Sequence, residues 1–253
     1  MNDADKDSAV RPSLDYHQSK IDLAAALRWA DHLGYGEGVC NHFSYAIPGT
    51  ADLFLLNPQG VHWSEVTASD IITVNSEGTL IEGKWPIEPT AFFIHSKIHA
   101  MVPSAKCVLH THMPNATALC ALEKGRLLWI SQNALRFYDQ VTYDDAYNGL
   151  ALDDSEGNRI AQLLHHKRVL FLANHGVIVT GEDIATAFDD LYYLERTCQV
   201  QVLAMSTGSP LKNIPSEICQ KAFVQIQEER QQSYLHFEAI KRILKRQDPE
   251  FDK

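Results

Sequence analysis

Apolar residues recur at helical spacing from Ser19 to about Leu33, at Ile21, Leu23, Ala24, Leu27, Trp29, Ala30 and Leu33, and glycines at 34, 36 and 38 end the run. This predicts an amphipathic first helix. Short β-patterned runs follow at 42–47 (HFSYAI) and 53–57 (LFLLN), broken by Pro48 and Gly49, and then at 70–75 (DIITVN) and 78–81 (GTLI). A helix is expected over 88–101, with Pro89 in its first turn. The run 105–110 (AKCVLH) reads as a buried strand that passes through Thr111, His112 and Met113 into a helix opened by Pro114. Two more strands are predicted at 127–131 (LLWIS) and 140–144 (QVTYD), then a polar helix over 155–166. The runs 168–174 and 177–181 form a predicted hairpin that turns at Asn174, His175 and Gly176. Asp183 caps a long amphipathic helix to about Met205, and one last helix is expected over 216–246. Strands alternating with helices, without a composition break, predict an α/β domain with a mixed sheet.

Composition narrows the function classes. With 253 residues, 45% of them hydrophobic, the chain can bury a full core without disulfide or metal staples. A formal charge of −10 repels phosphate backbones, and Lys and Arg cluster only at Lys241, Arg242, Lys245 and Arg246, so no nucleic-acid partner is expected. No apolar run approaches the roughly 20 residues of a membrane span. Residues 1–18 read as a disordered acidic arm without the apolar core of a secretory signal, and a cytoplasmic protein is expected. The five Cys form no C-x-x-C pair and read as reduced, mostly buried hydrophobes. Twelve His against 22 Lys plus Arg ask for an explanation, because imidazole serves both as metal ligand and as acid or base.

His110 and His112 are one residue apart at the end of a predicted strand, so both side chains leave the same face. His175 lies in the Asn-His-Gly turn, where Gly176 is free to take positive φ and close the turn tightly. Three neutral imidazoles with a fourth position open are the ligand set of a catalytic Zn²⁺ site, and Mn²⁺, Fe²⁺ and Co²⁺ accept the same ligands. The competing reading is that these histidines cap strand ends and bond to loop carbonyls.

The ordered segments NHFS (41–44), FLLNPQG (54–60), EVTASD (65–70), PTAFFIH (89–95), VLHTH (108–112), LANHGVIVTG (172–181) and AMSTG (204–208) resemble the class II aldolase/adducin domain. The resemblance spans residues 19–208 and leaves 209–253 as a C-terminal helical extension. It implies a three-layer α/β/α sandwich around a mixed, mostly antiparallel sheet, and a homotetramer with active sites at subunit interfaces. His110, His112 and His175 fall on that family's three metal-binding histidines. It further implies substrate contacts from Asn41, His42, Ser44, Asn57, Gly60 and Thr90.

The departures point to the adducin-like branch. The sugar-phosphate aldolases of the family carry a Glu four residues before the position of His95, as general base and metal-site partner; here Ala91 stands there, and a methyl cannot abstract a proton. Their phosphate loop becomes Asn41-His42-Phe43-Ser44, and their paired serines become Pro89 and Thr90, which weakens the case for a phosphorylated sugar. His42 could donate a hydrogen bond to an anionic or hydroxylated substrate, or could support the strand. Glu88, the nearest carboxylate to Ala91, is a candidate base and equally a helix N-terminal charge. Tyr143 and Tyr147 sit where related enzymes bring a tyrosine to a neighbouring active site; a phenol there can protonate a carbanion, whereas a strand Tyr more often packs. His95 reads as packing or as support for the site, and His99 receives no role.

The resulting expectation is a divalent-metal-dependent lyase, of aldolase or decarboxylase type, for a small hydroxy-carbonyl or carboxylate compound. The alternative is a non-catalytic adducin-like assembly module with a structural or vestigial metal site.

Overall fold

The computed structural model describes residues 14–253, with side chains from Tyr16 onward; residues 1–13 of the expected acidic arm lie outside the described residues. Helix α1 (Leu14–His32) starts five residues before the predicted Ser19. Tyr16 and Lys20 explain the longer helix, because both reach across to Glu82, at 2.6 and 2.7 Å. Those polar anchors carry no apolar period, so the pattern alone starts the helix too late.

Eight strands form one sheet: β1 (His42–Ala46), β2 (Leu53–Leu56), β3 (Ile72–Asn75), β4 (Leu80–Glu82), β5 (Cys107–Thr111), β6 (Val141–Asp144), β7 (Val169–Leu172) and β8 (Gly176–Gly181). Their order is β4-β3-β2-β1-β5-β8-β7-β6, and only β6 and β7 run parallel. The mixed, mostly antiparallel sheet expected from the sequence is therefore the observed one. Helices α2 (Pro89–Met101) and α4 (Asp154–Leu164) cover one face, where Ile94, Ile98, Ile160 and Leu164 meet Val108, Leu170 and Ile178. On the other face, α1, α3 (Pro114–Cys120) and α5 (Ile184–Ser206) pack on Phe43, Leu109, Phe171 and Val179. Strand alternation divides the core in this way. Among the described residues, no helix is long and apolar enough to cross a membrane.

Two predicted elements are corrected. Residues 127–131 form no strand, because their backbone is taken up elsewhere: Leu127 N–H donates to the Tyr143 hydroxyl at 3.0 Å, Leu128 N–H to Gln201 at 2.8 Å, and the Trp129 carbonyl accepts from Ile214 N–H. A short 3-10 helix at Asn133–Phe137 follows. The single helix expected over 216–246 is two, α6 (Ser216–Glu228) and α7 (Gln231–Gln247). The break lets Arg230, Ser233 and His236 reach the buried pair Asp189 and Asp190 on α5, at 2.7, 2.6 and 2.8 Å. Phe237, Ile240 and Leu244 of α7 join the same hydrophobic cluster as α1 and α5, so α7 shares the core.

Candidate metal centre

The sheet order brings the histidines together. β1 and β5 are antiparallel neighbours, and His42 stands directly opposite His110. His112 follows one residue beyond the end of β5, and His175 sits in the turn between β7 and β8, with β8 paired to β5 on its other side. One nitrogen from each of His110, His112 and His175 lies within 4.8 Å of the others. Their ring centroids are 4.8 to 5.0 Å apart, and the His42 ring lies 4.7 Å from that of His110.

The donor set fits a metal ion. His110 Nδ1–H donates to the Val177 carbonyl at 3.0 Å, which leaves Nε2 as a lone pair. His112 Nδ1 pairs with the Glu37 carboxylate, and its Nε2 is buried without a hydrogen-bond partner among the described residues. A buried, unpartnered imidazole nitrogen is costly unless something coordinates it. Burial, reinforced by the neighbouring imidazoles, pushes His110 well below its ordinary pKa; burial likewise lowers His175 to about 4. Those two rings are neutral at pH 7 and able to ligate. Through this contact Glu37 fixes the orientation of the His112 ring, as a carboxylate commonly does for a metal-ligating histidine. A Glu37→Gln variant is expected to weaken metal affinity about 10–100-fold, measured by competition with a chromophoric chelator.

The turn is built differently from the sequence expectation. Positive φ falls on Asn174, at 56°, and Gly176 is not among the positive-φ residues. Glycine is needed at 176 for space, since a Cβ there would meet the Thr111 carbonyl oxygen at 2.5 Å and His112 Cδ2 at 2.7 Å. Gly176→Ala should cost about 1–3 kcal/mol in chemical denaturation, as overpacking does, and should lower metal affinity by displacing the His112 ring.

The three histidines open on a cavity of about 680 Å³. Of the predicted substrate contacts, Asn41, His42, Gly60 and Thr90 line it. Ser44 does not: it is fully buried and bonded to His95 and His99. Asn57 is also withdrawn, with its Oδ1 accepting Phe43 N–H at 2.7 Å and its Nδ2 facing the Asn41 carbonyl at 3.4 Å. It fixes the ends of β1 and β2. Glu88 lines the cavity, but its Oε2 caps α2 by accepting Ala91 N–H at 2.6 Å and the Thr90 hydroxyl at 2.5 Å. Ala91 itself is buried among Phe54, Leu56, Ile72 and Val74, outside the cavity wall.

Of the two tyrosines, Tyr143 is not brought to the histidines within its own chain. Its hydroxyl accepts Leu127 N–H, its ring stacks on Phe171 and under Arg126, and it faces a separate cavity with Cys120 and Asn174. Tyr147 is half exposed, with its ring 6.3 Å from that of His175. Glu37 and His99 are participants to which the sequence reading gives no role, whereas His95, which it reads as packing or support, is bonded to His42 and Ser44. His95 and His99 had a visible signal, their four-residue spacing on one helix face toward β1.

A solved structure, that of an aldolase II superfamily protein from Pseudomonas syringae, is 32% identical and superposes with a TM-score of 0.87 over 96% of this chain and 98% of that one. Among sequences, the decarboxylase NovR of Streptomyces niveus is 32% identical over 201 residues, 79% of this chain and 74% of that protein. Human beta-adducin is 32% identical over 196 residues, 76% of this chain and 27% of that longer protein. The model of the class II aldolase and adducin N-terminal domain matches residues 21–202, and with the fold and the histidine cluster already described, the chain belongs to that family.

Proposed function

We propose that the protein is a divalent-metal-dependent carbon–carbon lyase, of decarboxylase or aldolase type, acting on a small hydroxy-carbonyl or carboxylate compound. The observation that carries this reading is the cluster of His110, His112 and His175, with the unpartnered His112 Nε2, at the edge of a cavity large enough for such a molecule. A divalent ion, zinc by preference, would be held by these three residues and would supply a Lewis acid for the negative charge that C–C cleavage leaves on oxygen. Decarboxylation suits Ala91 better than retro-aldol cleavage, because loss of carbon dioxide needs an electron sink and no base at that position. Glu37 orients His112, and Thr90 and Asn41 on the cavity wall offer polar groups to the substrate. Tyr147 is our choice for the proton donor to the carbanion, and Glu88, the carboxylate on the wall, for the base if the reaction is an aldol cleavage.

The same reading includes a cytoplasmic homotetramer with its active sites near subunit contacts. Leu150 and Leu152, 68% and 57% exposed, lie on the loop that borders the cavity and suit coverage by a neighbouring subunit. The likeness to human beta-adducin favours one rival, an assembly module without catalysis. Metal analysis of the purified protein, followed by assays on β-keto acids, hydroxy acids and aldols with and without chelator, separates the two. Stoichiometric metal and a chelator-sensitive activity support the lyase; no stoichiometric metal, or an activity unchanged by its removal, overturns it.

A further inference from the structure

A line of buried polar side chains runs from the metal cavity into the protein. His42 Nδ1 lies 2.7 Å from His95 Nε2, His95 Nδ1 contacts Ser44 Oγ, Ser44 Oγ lies 2.7 Å from His99 Nε2, and His99 Nδ1 lies 3.0 Å from the Ala105 carbonyl oxygen. His42 and Ser44 share the face of β1 toward α2, whereas His95 and His99 are one turn apart on α2. The Ala105 carbonyl belongs to the turn between α2 and β5.

The far end sets the direction of every bond. A carbonyl can only accept, so the His99 proton is on Nδ1. A neutral imidazole carries one N–H, so His99 Nε2 accepts, and the Ser44 hydroxyl must donate to it. With its hydrogen spent, Ser44 accepts from His95 Nδ1–H. His95 Nε2 is then a lone pair and accepts from His42 Nδ1–H. What remains is His42 Nε2, a lone pair on a residue that lines the cavity beside His110. The rings are neutral because His42 and His95 are 5% and 0% exposed and the bonds of this line include no carboxylate to balance a charge; burial also lowers His99 to about 4.

We propose that this relay, anchored on the Ala105 carbonyl, fixes His42 as a hydrogen-bond acceptor toward the cavity and makes it a specificity-determining residue that selects a substrate hydroxyl over an anionic oxygen. The polarity is opposite to the donor role suggested by the sequence. A hydroxyl placed there gains a bond, whereas a carboxylate or phosphate oxygen meets a lone pair and no proton. His95, Ser44 and His99 are positioning residues that act through His42. The identity of the ligand rests on the lyase reading; the tautomer does not.

The test begins with ¹⁵N spectra of histidine-labelled, metal-free protein, with the His42 signals identified by their loss in His42→Ala. The expected wild-type form is Nδ1–H with a bare Nε2. Ser44→Ala, which removes the link, should let an Nε2–H form of His42 appear, and Ser44→Thr, which restores a hydroxyl, should suppress it. On zinc-loaded protein, glycolate and oxalate serve as matched probes, one with a hydroxyl where the other has a carboxylate oxygen. His42→Ala should weaken glycolate about three- to tenfold, the value of one hydrogen bond, and leave oxalate unchanged or tighter. An Nε2–H tautomer in the wild type, or equal loss of both probes in His42→Ala, overturns the proposal. Failure of the lyase reading would show separately, as absence of zinc uptake with the tautomer unaffected.

Discussion

Replacing His110 by alanine is expected to abolish stoichiometric metal while leaving the fold intact. His110 occupies the centre of the cluster, with its ring 5.0 Å or less from those of His42, His112 and His175. Loss of a supporting group outside the ligand shell costs about 10–100-fold in metal affinity, so loss of one of three protein ligands should exceed roughly 100-fold. The remaining pair, His112 and His175, cannot close a site that zinc prefers to fill with three or four protein groups. The β5 ladder does not involve the side chain, and only the 3.0 Å bond to the Val177 carbonyl is lost, so the stability cost should stay near about 1–2 kcal/mol. Elemental analysis after dialysis, paired with circular dichroism, checks both halves. Metal retained at wild-type stoichiometry and affinity would remove His110 from the ligand set. Under the lyase reading, the same variant also falls to background activity, and added zinc does not restore it at concentrations that saturate the wild type.

Much of this site could be read from the chain before any coordinates, because strand alternation is a local rule. It puts His110 and His112 on one side of the chain where β5 ends, with His112 one residue beyond the strand, and the Asn-His-Gly turn puts His175 at the end of a neighbouring hairpin. What could not be read depends on contacts between distant segments. Glu37 is one carboxylate in a glycine-rich loop, and nothing nearby in sequence ties it to His112, 75 residues later. The direction of the histidine relay is set by a single carbonyl at Ala105, and backbone acceptors leave no mark on composition or period. Ser44 and Asn57 were assigned to substrate because their segments resemble a binding loop, yet both side chains spend their polar atoms inside the protein. The run 127–131 has the apolar pattern of a strand, but side chains of Tyr143 and Gln201 and the backbone of Ile214 claim the groups a ladder would need. Helix α1 shows the converse error, since its first turns are held by Tyr16 and Lys20 and carry little apolar period.

The largest stability effect is expected far from the cavity, at Asp190. This carboxylate is fully buried on α5 and takes contacts from three guanidinium groups, Arg136 at 3.2 Å, Arg168 at 3.0 Å and Arg230 at 2.7 Å. Each arginine comes from a different segment: the 3-10 helix at Asn133–Phe137, the entry to β7, and the junction before α7. Asp189 beside it is nearly as buried and binds Arg136, Ser233 and His236 at 2.7, 2.6 and 2.8 Å. Burial alone would raise its pKa, but the bonds from His236 and Ser233 and the charge of Arg136 hold it below the ordinary carboxylate range. Removing one member of a buried ionic group leaves the others desolvated and unpaired, which costs about 3–5 kcal/mol. Asp190→Ala should therefore lower the melting temperature by roughly 6–20 °C for a chain of this size, read by thermal and urea denaturation. An exposed pair supplies the control: Glu250→Ala, which breaks a contact with Lys253 whose partners are 59% and 65% exposed, should shift stability by no more than about 1 kcal/mol. Because Arg230 ties the start of α7 to Asp190, the Asp190 variant should also expose the segment after residue 209 to limited proteolysis before the sheet unfolds. A change no larger than that of Glu250→Ala would mean that the cluster sits in surroundings far more water-like than its burial indicates.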